Sequence, residues 1–291
     1  MTGPASRRDV LAAATRQLRA GGVASPEHDA AELLAHVLGT SRGALPLVDE
    51  VDATSLASYD VLVARRAGRE PLQHLTGVAG FRHVDLRVGP GVFVPRPETE
   101  LLAGWAVEAA AGLAHPVVVD LCTGSGAIAK AVAHEVPHAQ VHAVELDEQA
   151  LAWAGRNLEG TGVDLRAGSM ATAFDDLVGT VDVVVCNPPY IPLEAWESVA
   201  PEARDHDPHL ALFSGADGLD AIRVLEQRAR VLLRPGGVVG AEHADVQGAS
   251  APGVFVAAGG WSDVRDHLDL AGRPRYLTAR LGPVPRPGLA G

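Results

Sequence analysis

Three stretches within the first 75 residues have the spacing of apolar positions that is typical of amphipathic helices. Their apolar positions are Val10, Leu11, Ala14 and Leu18, then Leu33, Leu34, Val37 and Leu38, then Leu56, Tyr59 and Val63. Ser25-Pro26 is typical of a helix start, and glycines at positions 21, 39 and 68 end the three stretches. The pattern predicts a small helical domain over residues 1–75.

The pattern changes to alternating apolar and polar residues after a segment, Pro71 to Gly77, that is expected to be a linker. Apolar residues at positions 84, 86 and 88 alternate with polar neighbours, and Gly89-Pro90-Gly91 is typical of a turn. Residues 92–94 are again apolar. We therefore expect residues 76–100 to be a linker with a β-hairpin, whose second strand is 92–94.

From residue 116 onward, short apolar runs alternate with helical patterns. The runs predict strands over residues 117–120, 141–145, 163–166, 181–186 and 238–242, with helices over 150–158 and 221–233 and a terminal antiparallel pair over 261–268 and 276–281. The segment Pro235-Gly236-Gly237 is expected to be a turn before the fifth strand. This alternation predicts an α/β fold, with a mostly parallel sheet covered by helices on both faces. Residues 283–291, rich in Gly and Pro, predict a disordered tail.

Composition narrows the class of protein. The chain has 291 residues, of which 47% are apolar and 21% charged, enough for one large domain and a small one. No apolar run is long enough to span a membrane and no signal core follows Met1, so neither a membrane partner nor secretion is expected. The two cysteines favour a reduced, cytoplasmic location, and no Cys/His spacing typical of a metal site is present. A net charge of −12 weighs against a stable nucleic-acid partner.

The segment Asn187-Pro188-Pro189-Tyr190 directly follows a strand of β-branched residues. Each proline restricts the residue before it to extended backbone, so Asn187 and Pro188 are expected to be held rigidly at a strand end, where α/β sheets bind ligands. The Asn187 amide oxygen and the Pro188 carbonyl then offer two acceptors, and the Tyr190 ring offers an aromatic face. This arrangement suits a planar –NH2 group.

A glycine-rich segment joins the first strand of the sheet to a helix. Its pattern, Gly124-x-Gly126-x-x-Ala129, fits the fingerprint of a nucleotide-cofactor loop. An NAD site is the alternative to an S-adenosylmethionine site; Asp120, which can serve a methionine ammonium group, favours the latter. Glu145 lies at the usual distance for an acid that binds ribose hydroxyls, and Asp147 is the alternative for that role.

The chain resembles the PrmC/HemK family of protein-(glutamine-N5) methyltransferases. The resemblance covers nearly the whole chain and is carried by Asn187 to Tyr190, the glycine loop, Val94 to Glu100, Pro208 to Leu219, and Glu242-His243. It implies a Rossmann-like class I methyltransferase domain over residues 101–282, with S-adenosylmethionine as cofactor. Asn-Pro-Pro-Tyr is shared with DNA adenine and ribosomal RNA guanine methyltransferases, whereas the Pro-Arg-Pro-Glu-Thr-Glu segment is not.

The resemblance also implies roles for individual residues. The methionine end of the cofactor would be lined by Cys122, Thr123, Gly124, Ser125 and Gly126, its ribose by Glu145 and its adenine by Ser169 and Met170, with Asn187 also next to the cofactor. The target amide would be held by Asn187, Pro188, Pro189 and Tyr190. Arg96 is a candidate substrate contact, with an ordinary surface ion pair as its alternative. Cys122, where Gly is common, is expected to be tolerated if its φ is negative.

The function implied by the resemblance is methyl transfer to the glutamine amide of the Gly-Gly-Gln motif in class I peptide chain release factors. The helical domain would then dock the protein substrate, and a monomeric enzyme is expected. Two alternatives remain: a methyltransferase acting on adenine N6 or guanine N2 of nucleic acid, and a non-catalytic S-adenosylmethionine-binding protein. Asn187 and Tyr190 argue against the second.

Overall fold

The computed structural model describes residues 5–198 and 200–283. These residues form two compact units, one from 5–78, 88–90 and 200–206 and the other from 79–87, 91–198 and 207–283. The tail predicted over 283–291 lies, apart from Pro283, outside the described residues. Among the helices of the described part, none is both long and apolar enough to cross a membrane.

The first unit is mainly helical, as predicted. Its helices are α1 (Arg7–Ala20), α2 (Pro26–Val37), α3 (Ala53–Ala67) and α4 (Leu72–Thr76), and a short ladder joins β1 (Ala5–Ser6) to β2 (Glu50–Val51). Leu18, Leu33 and Leu34 are fully buried in its core. The equally buried Tyr59 donates a hydrogen bond of 2.9 Å to the Ala30 carbonyl, which satisfies its hydroxyl.

The segment predicted as a linker, Pro71 to Gly77, instead contains α4. Pro71 precedes the helix as its N-cap residue, and Gly77 ends it in the left-handed conformation at φ +77°. The Gly77 N–H donates to the Gln73 carbonyl. The Pro and Gly that suggested a linker are therefore the start and stop signals of a single helical turn.

A helix from far along the chain, α8 (Pro201–His206), belongs to the first unit. Its Glu202 carboxylate pairs with Arg69, whose Nε and Nη2 lie 2.8 and 2.6 Å away, and with Arg66 at 3.2 Å. Arg66 is buried and also donates to Asp29 Oδ2 at 2.8 Å. Each charge in this network therefore has a partner, which offsets the cost of removing it from water.

The main sheet of the second unit is made from seven of the described strands. They are β5 (Val117–Leu121), β6 (Gln140–Glu145), β7 (Asp164–Ala167), β8 (Val181–Cys186), β9 (Leu233–Glu242), β10 (Trp261–Leu268) and β11 (Pro274–Leu281). Their order is β10-β11-β9-β8-β5-β6-β7, and only the contacts of β11 with β9 and β10 are antiparallel. The predicted α/β fold is confirmed.

Helices cover the sheet on both faces. They are α5 (Thr99–Ala111), α6 (Ala127–Glu135), α7 (Glu148–Leu158), α9 (Asp220–Leu232) and α10 (Ser250–Ala258). Val239 and Ala241 of β9 pack in the apolar cluster that includes α9 and Phe255 of α10. Gly240, between them, faces Trp105 of α5 on the opposite side. Because both faces are covered, residues 238–241 of this strand are all apolar.

The sheet order creates a crevice at the carboxyl ends of β5 and β8. The chain runs from β5 outward to β6 and β7, then returns to the other side of β5 as β8. At such a reversal the loops that follow neighbouring strands diverge, and ligands bind in the space between them. The glycine loop follows β5 and Asn187 follows β8, so both reach this point.

The predicted hairpin is wrong in its strands. The structure pairs β3 (Val78–Phe81) with β4 (Val84–Arg87), and residues 92–94 are not in a strand. Val92 and Val94 are fully buried, so their apolar character reflects burial of irregular chain. Pro95 and Pro97 follow this segment and lack the N–H groups that a ladder needs.

The turn predicted at Pro235-Gly236-Gly237 lies inside a strand. Strand β9 begins at Leu233, opposite Val181, and its next paired residue is Val238, opposite Val183. The segment is a bulge that bends β9 without ending it. Helix α10 was not predicted, because its Pro252 and Gly253 do not favour a helix.

Gly240 offers a stability test of the packing of α5 on β9. A Cβ at this position would overlap the Trp105 ring and lie 3.0 Å from Leu102. We expect Gly240→Ala to lower the free energy of unfolding by about 1–3 kcal/mol, as overpacking does. Gly253→Ala is the matched control, since nothing lies within 4 Å of its Cβ position in α10. Denaturant unfolding in which both variants equal the wild type would contradict this packing.

Candidate active site

A cavity of about 240 Å³ opens at the carboxyl ends of β5 and β8, within the second unit. The predicted residues that line it are Cys122, Thr123, Gly124, Ser125, Glu145, Asp147, Ser169, Met170, Asn187 and Pro189. The predicted residues that do not line it are Asp120, Gly126, Pro188, Tyr190 and Arg96. The structure thus brings the glycine loop, the β6 acid and the Asn187 segment to one cavity.

The glycine loop turns sharply between β5 and α6. Gly124 and Gly126 have φ values of +58° and +84°, and a Cβ on Gly126 would lie 3.0 Å from the Leu158 side chain. Cys122 has φ +66°, so the condition of a negative φ, under which this residue was expected to be tolerated, is not met. The loop imposes the left-handed conformation, which costs a side-chain-bearing residue about 1–2 kcal/mol. The Cys122 sulfur lies 3.6 Å from the Met170 sulfur.

Asp120 lies beneath this loop rather than at the cavity wall. Its Oδ2 accepts hydrogen bonds from the Thr123 hydroxyl at 2.6 Å and the Ala129 N–H at 3.2 Å. Its Oδ1 is buried and, within the described residues, has no hydrogen-bond partner. Burial raises the pKa of Asp120 to about 7, although the hydrogen bond from Thr123 acts to lower it. Asp120 therefore orders the loop and leaves one buried oxygen unsatisfied.

This pKa predicts a pH-dependent stability. Between about pH 4 and pH 7 the unfolded chain loses the Asp120 proton while the folded chain keeps it, so the folded state is destabilised as pH rises. We expect Asp120→Asn to remove this loss. Because one pKa unit corresponds to about 1.4 kcal/mol, the stability of the variant relative to the wild type should rise by up to about 4 kcal/mol from pH 4 to pH 8. If the free energies of unfolding of the two proteins changed with pH in parallel, the raised pKa of Asp120 would be contradicted.

Glu145 ends β6 at the cavity wall. Its Oε2 accepts from the Gly124 N–H at 2.7 Å, and its Oε1 from the N–H groups of Leu146 and Asp147 at 2.9 Å. Burial raises the pKa of Glu145, whereas these three hydrogen bonds act to lower it. The Asp147 carboxylate instead caps α7, accepting from the N–H groups of Gln149 and Ala150. Glu145 therefore links the glycine loop to the strand end, whereas Asp147 serves its own helix.

Ser169 and Met170 line the cavity directly after β7. The Ser169 hydroxyl accepts a hydrogen bond of 3.2 Å from the Ala171 N–H and retains its own proton for another partner. Apolar side chains, including those of Ile128 and Leu146, complete the cavity wall. The site thus combines a carboxylate with a largely apolar surface, as ligand sites commonly do.

At the other end of the cavity, Asn187 belongs to a hydrogen-bonded chain. Its Nδ2 donates to Thr99 Oγ1 at 3.2 Å, and the Thr99 hydroxyl donates to Glu242 Oε2 at 2.7 Å. The half-buried Tyr190 donates to Glu242 Oε1 at 3.1 Å. Glu242 is 1% exposed, and this burial raises its pKa. Sequence reasoning assigned no role to Thr99 or Glu242, although both lie in segments that carry the family resemblance.

Arg96 forms an ion pair next to the cavity, and its predicted contact with the substrate stays a prediction. Its Nη2 lies 2.8 Å from Asp207 Oδ2, and its guanidinium lies over the Phe93 ring. Burial raises the pKa of Asp207 to about 6, while Arg96 acts to lower it. Phe93 and Pro208, next to the two charges, both line the cavity. An ion pair is therefore present, as in the alternative for this residue, but its acid is buried and not on the surface.

Comparison with known proteins gives a consistent family. The PrmC N-terminal domain matches residues 9–77 and the methyltransferase small domain matches residues 98–200. The release factor glutamine methyltransferase of Streptomyces coelicolor is 60% identical over 272 residues, which are 93% of this chain and 96% of that protein.

Two further likenesses are more distant. The 4-amino-L-phenylalanine/4-methylamino-L-phenylalanine methyltransferase of Streptomyces pristinaespiralis is 46% identical over 69% of this chain and 70% of its own length. The hMettl16 catalytic domain in complex with MAT2A 3'UTR hairpin 6 has a TM-score of 0.54 at 16% identity, over 68% of this chain and 75% of that one. The latter likeness concerns the fold alone. On the identity and coverage of the Streptomyces coelicolor relative, this chain belongs to the release factor glutamine methyltransferase family.

Proposed function

We propose that this chain transfers the methyl group of S-adenosylmethionine to the side-chain amide nitrogen (N5) of the glutamine in the Gly-Gly-Gln motif of class I peptide chain release factors. The observation that carries the proposal is the 60% identity, over nearly the full length of both chains, to a release factor glutamine methyltransferase. The Asn187 amide at the cavity supports it with a group able to bind another amide.

The donor set of the cavity fits S-adenosylmethionine. The unsatisfied Asp120 oxygen lies beneath the loop that would hold the methionine ammonium end, and Glu145 offers its carboxylate to ribose hydroxyls. Met170 can pack on the adenine ring, and the Ser169 hydroxyl can accept a hydrogen bond from the adenine amine. Gly124 leaves open space where a side chain would project. When bound, the cofactor supplies an electrophilic methyl group on a sulfonium.

The chemistry requires activation of a weak nucleophile, because the amide lone pair is delocalised into the carbonyl. Asn187 Oδ1 and the Pro188 carbonyl would accept the two N–H groups of the glutamine, orienting its nitrogen and stabilising the positive charge that develops on it. The Tyr190 ring would pack against the amide and add a cation–π attraction. The nitrogen would gain the methyl group as its bond to the sulfonium sulfur breaks, which leaves a neutral thioether, and would then lose one proton to water.

The helical first unit is the proposed docking surface for the release factor. Its match to the PrmC N-terminal domain supports this role. Removing residues 1–75 should weaken binding of the release factor far more than binding of the cofactor. Equal loss of both affinities, in a fragment that circular dichroism shows to be folded, would contradict it. The enzyme is proposed to act as a monomer in the cytoplasm.

The decisive experiment measures methyl transfer from labelled S-adenosylmethionine to a purified release factor. The control is the same factor with the Gln of its Gly-Gly-Gln motif changed to Asn. Label on the first and not on the second would establish the substrate and the target residue. Label instead on ribosomal RNA, DNA or 4-amino-L-phenylalanine, supplied in parallel, would overturn the proposed substrate in favour of that acceptor.

A further inference from the structure

The hydrogen-bonded chain from Glu242 through Thr99 to Asn187 allows a single arrangement of protons when the carboxylate is ionised. An ionised carboxylate can only accept, so the Thr99 hydroxyl must donate its one proton to Glu242 Oε2 at 2.7 Å. The Thr99 oxygen can then only accept from Asn187, at 3.2 Å. The Asn187 atom facing Thr99 is therefore the nitrogen Nδ2.

Several contacts favour the ionised form of Glu242 despite its burial. The pKa of Glu242 is raised on balance, with burial the largest cause, while hydrogen bonds from Thr99 and Tyr190 and the charge of Arg275 act to lower it. Both carboxylate oxygens thus face hydroxyl donors, Thr99 at one and Tyr190 at the other. The like charge of Glu98 is a smaller opposing effect.

We propose that Glu242 and Thr99 are positioning residues that hold the Asn187 amide with its oxygen free for the substrate; this inference rests on the proposed amide methylation. A reversed Asn187 would turn N–H groups toward the N–H groups of the glutamine, and no hydrogen bond would form between them. The chain from Glu242 therefore selects the one orientation of Asn187 in which the target amide can bind productively.

The same carboxylate also locates Tyr190, since its two oxygens divide between the Thr99 and Tyr190 hydroxyls. The acceptor of the substrate amide and its aromatic packing partner are thereby tied to one buried group. Glu242 itself does not line the cavity, whereas Thr99 and Asn187 do. Glu242 therefore affects the reaction through the Thr99 and Asn187 side chains.

The test compares Thr99→Val, which removes the hydroxyl at nearly constant shape, with Thr99→Ser, which retains it. We expect Thr99→Val to lower kcat about 10- to 100-fold, because a single orienting hydrogen bond is lost. Thr99→Ser should stay within about 3-fold of the wild type, and the cofactor Kd and the release factor KM should change little. An equal decrease of kcat in both variants, or an unchanged kcat in Thr99→Val, would overturn the proposal.

A double-variant cycle adds a second criterion. Glu242→Leu removes both oxygens and so the acceptor that orients Thr99. Combining it with Thr99→Val should therefore lower kcat hardly further than Glu242→Leu alone. Multiplicative losses would show that the two residues act independently and would overturn the proposal.

A readout without any substrate separates this inference from the proposed function. The Asn187 side-chain –NH2 protons, identified by the signal missing from Asn187→Asp, should exchange slowly in the wild type and Thr99→Ser and faster in Thr99→Val. Equal exchange in all three would overturn the positioning role, whatever the acceptor. Slow exchange in a wild-type enzyme that does not methylate a release factor would leave the positioning role intact and refute only the proposed substrate.

Discussion

Replacing Asn187 by Ala should lower kcat for release factor methylation by about 10³-fold. The substitution removes the side-chain acceptor that would orient the glutamine amide and stabilise the charge developing on its nitrogen, and the loss of one such preorganised group costs about 10²–10³ in kcat. Asn187 lines the cavity directly after the end of β8. Single-turnover transfer of a labelled methyl group is the measurement.

Two controls distinguish lost chemistry from lost structure in Asn187→Ala. The midpoint of thermal unfolding should stay near that of the wild type, since the hydrogen bond to Thr99 is long at 3.2 Å. Cofactor binding, followed by calorimetry, should weaken by no more than about tenfold. A variant that keeps more than a tenth of the wild-type kcat would refute the role assigned to this amide.

Replacing Glu145 by Ala should weaken S-adenosylmethionine binding by about 10²- to 10⁴-fold. A carboxylate that accepts two ribose hydroxyls contributes hydrogen bonds to a charged group, each worth about 1.5–3 kcal/mol. The substitution also releases the Gly124 N–H, which the carboxylate holds at 2.7 Å. Isothermal titration with the cofactor is the measurement.

The matched variant for Glu145 is Asp147→Ala, which tests the alternative ribose acid. Asp147 accepts from two N–H groups at the start of α7, so its loss should cost about 1 kcal/mol of stability as a missing cap. Its cofactor affinity should change by less than about tenfold. If Asp147→Ala instead weakened binding as much as Glu145→Ala, the preference for Glu145 would be wrong.

Much of the fold could be predicted because parallel strands have an unmistakable pattern. The run Val183 to Cys186 is fully buried, as expected for a central strand covered on both faces. The helical stretches of the first unit were equally clear, since one apolar stripe repeats in each. These patterns are local, so they can be recognised without knowledge of the tertiary contacts.

The errors arose where burial did not coincide with regular structure. Val92 and Val94 are as apolar as strand residues, but the chain around them is irregular. The true partner strand, β3, contains Gly80, which weakens a strand pattern. The sequence left the φ of Cys122 open, because the loop geometry and not the residue type imposes it.

The sequence by itself determined the class of fold, and it predicted the glycine loop, Glu145 and the Asn187 segment that the structure brings to one cavity. Only the tertiary structure decided how Asn187 is oriented. Thr99 lies 88 residues from Asn187 and 143 from Glu242, and no local pattern connects them. They meet because β8 and β9 are neighbours, with Cys186 opposite Ala241, so that the ends of both strands reach the start of α5. Periodicity reports which residues are buried, whereas the proton arrangement depends on which strands lie side by side.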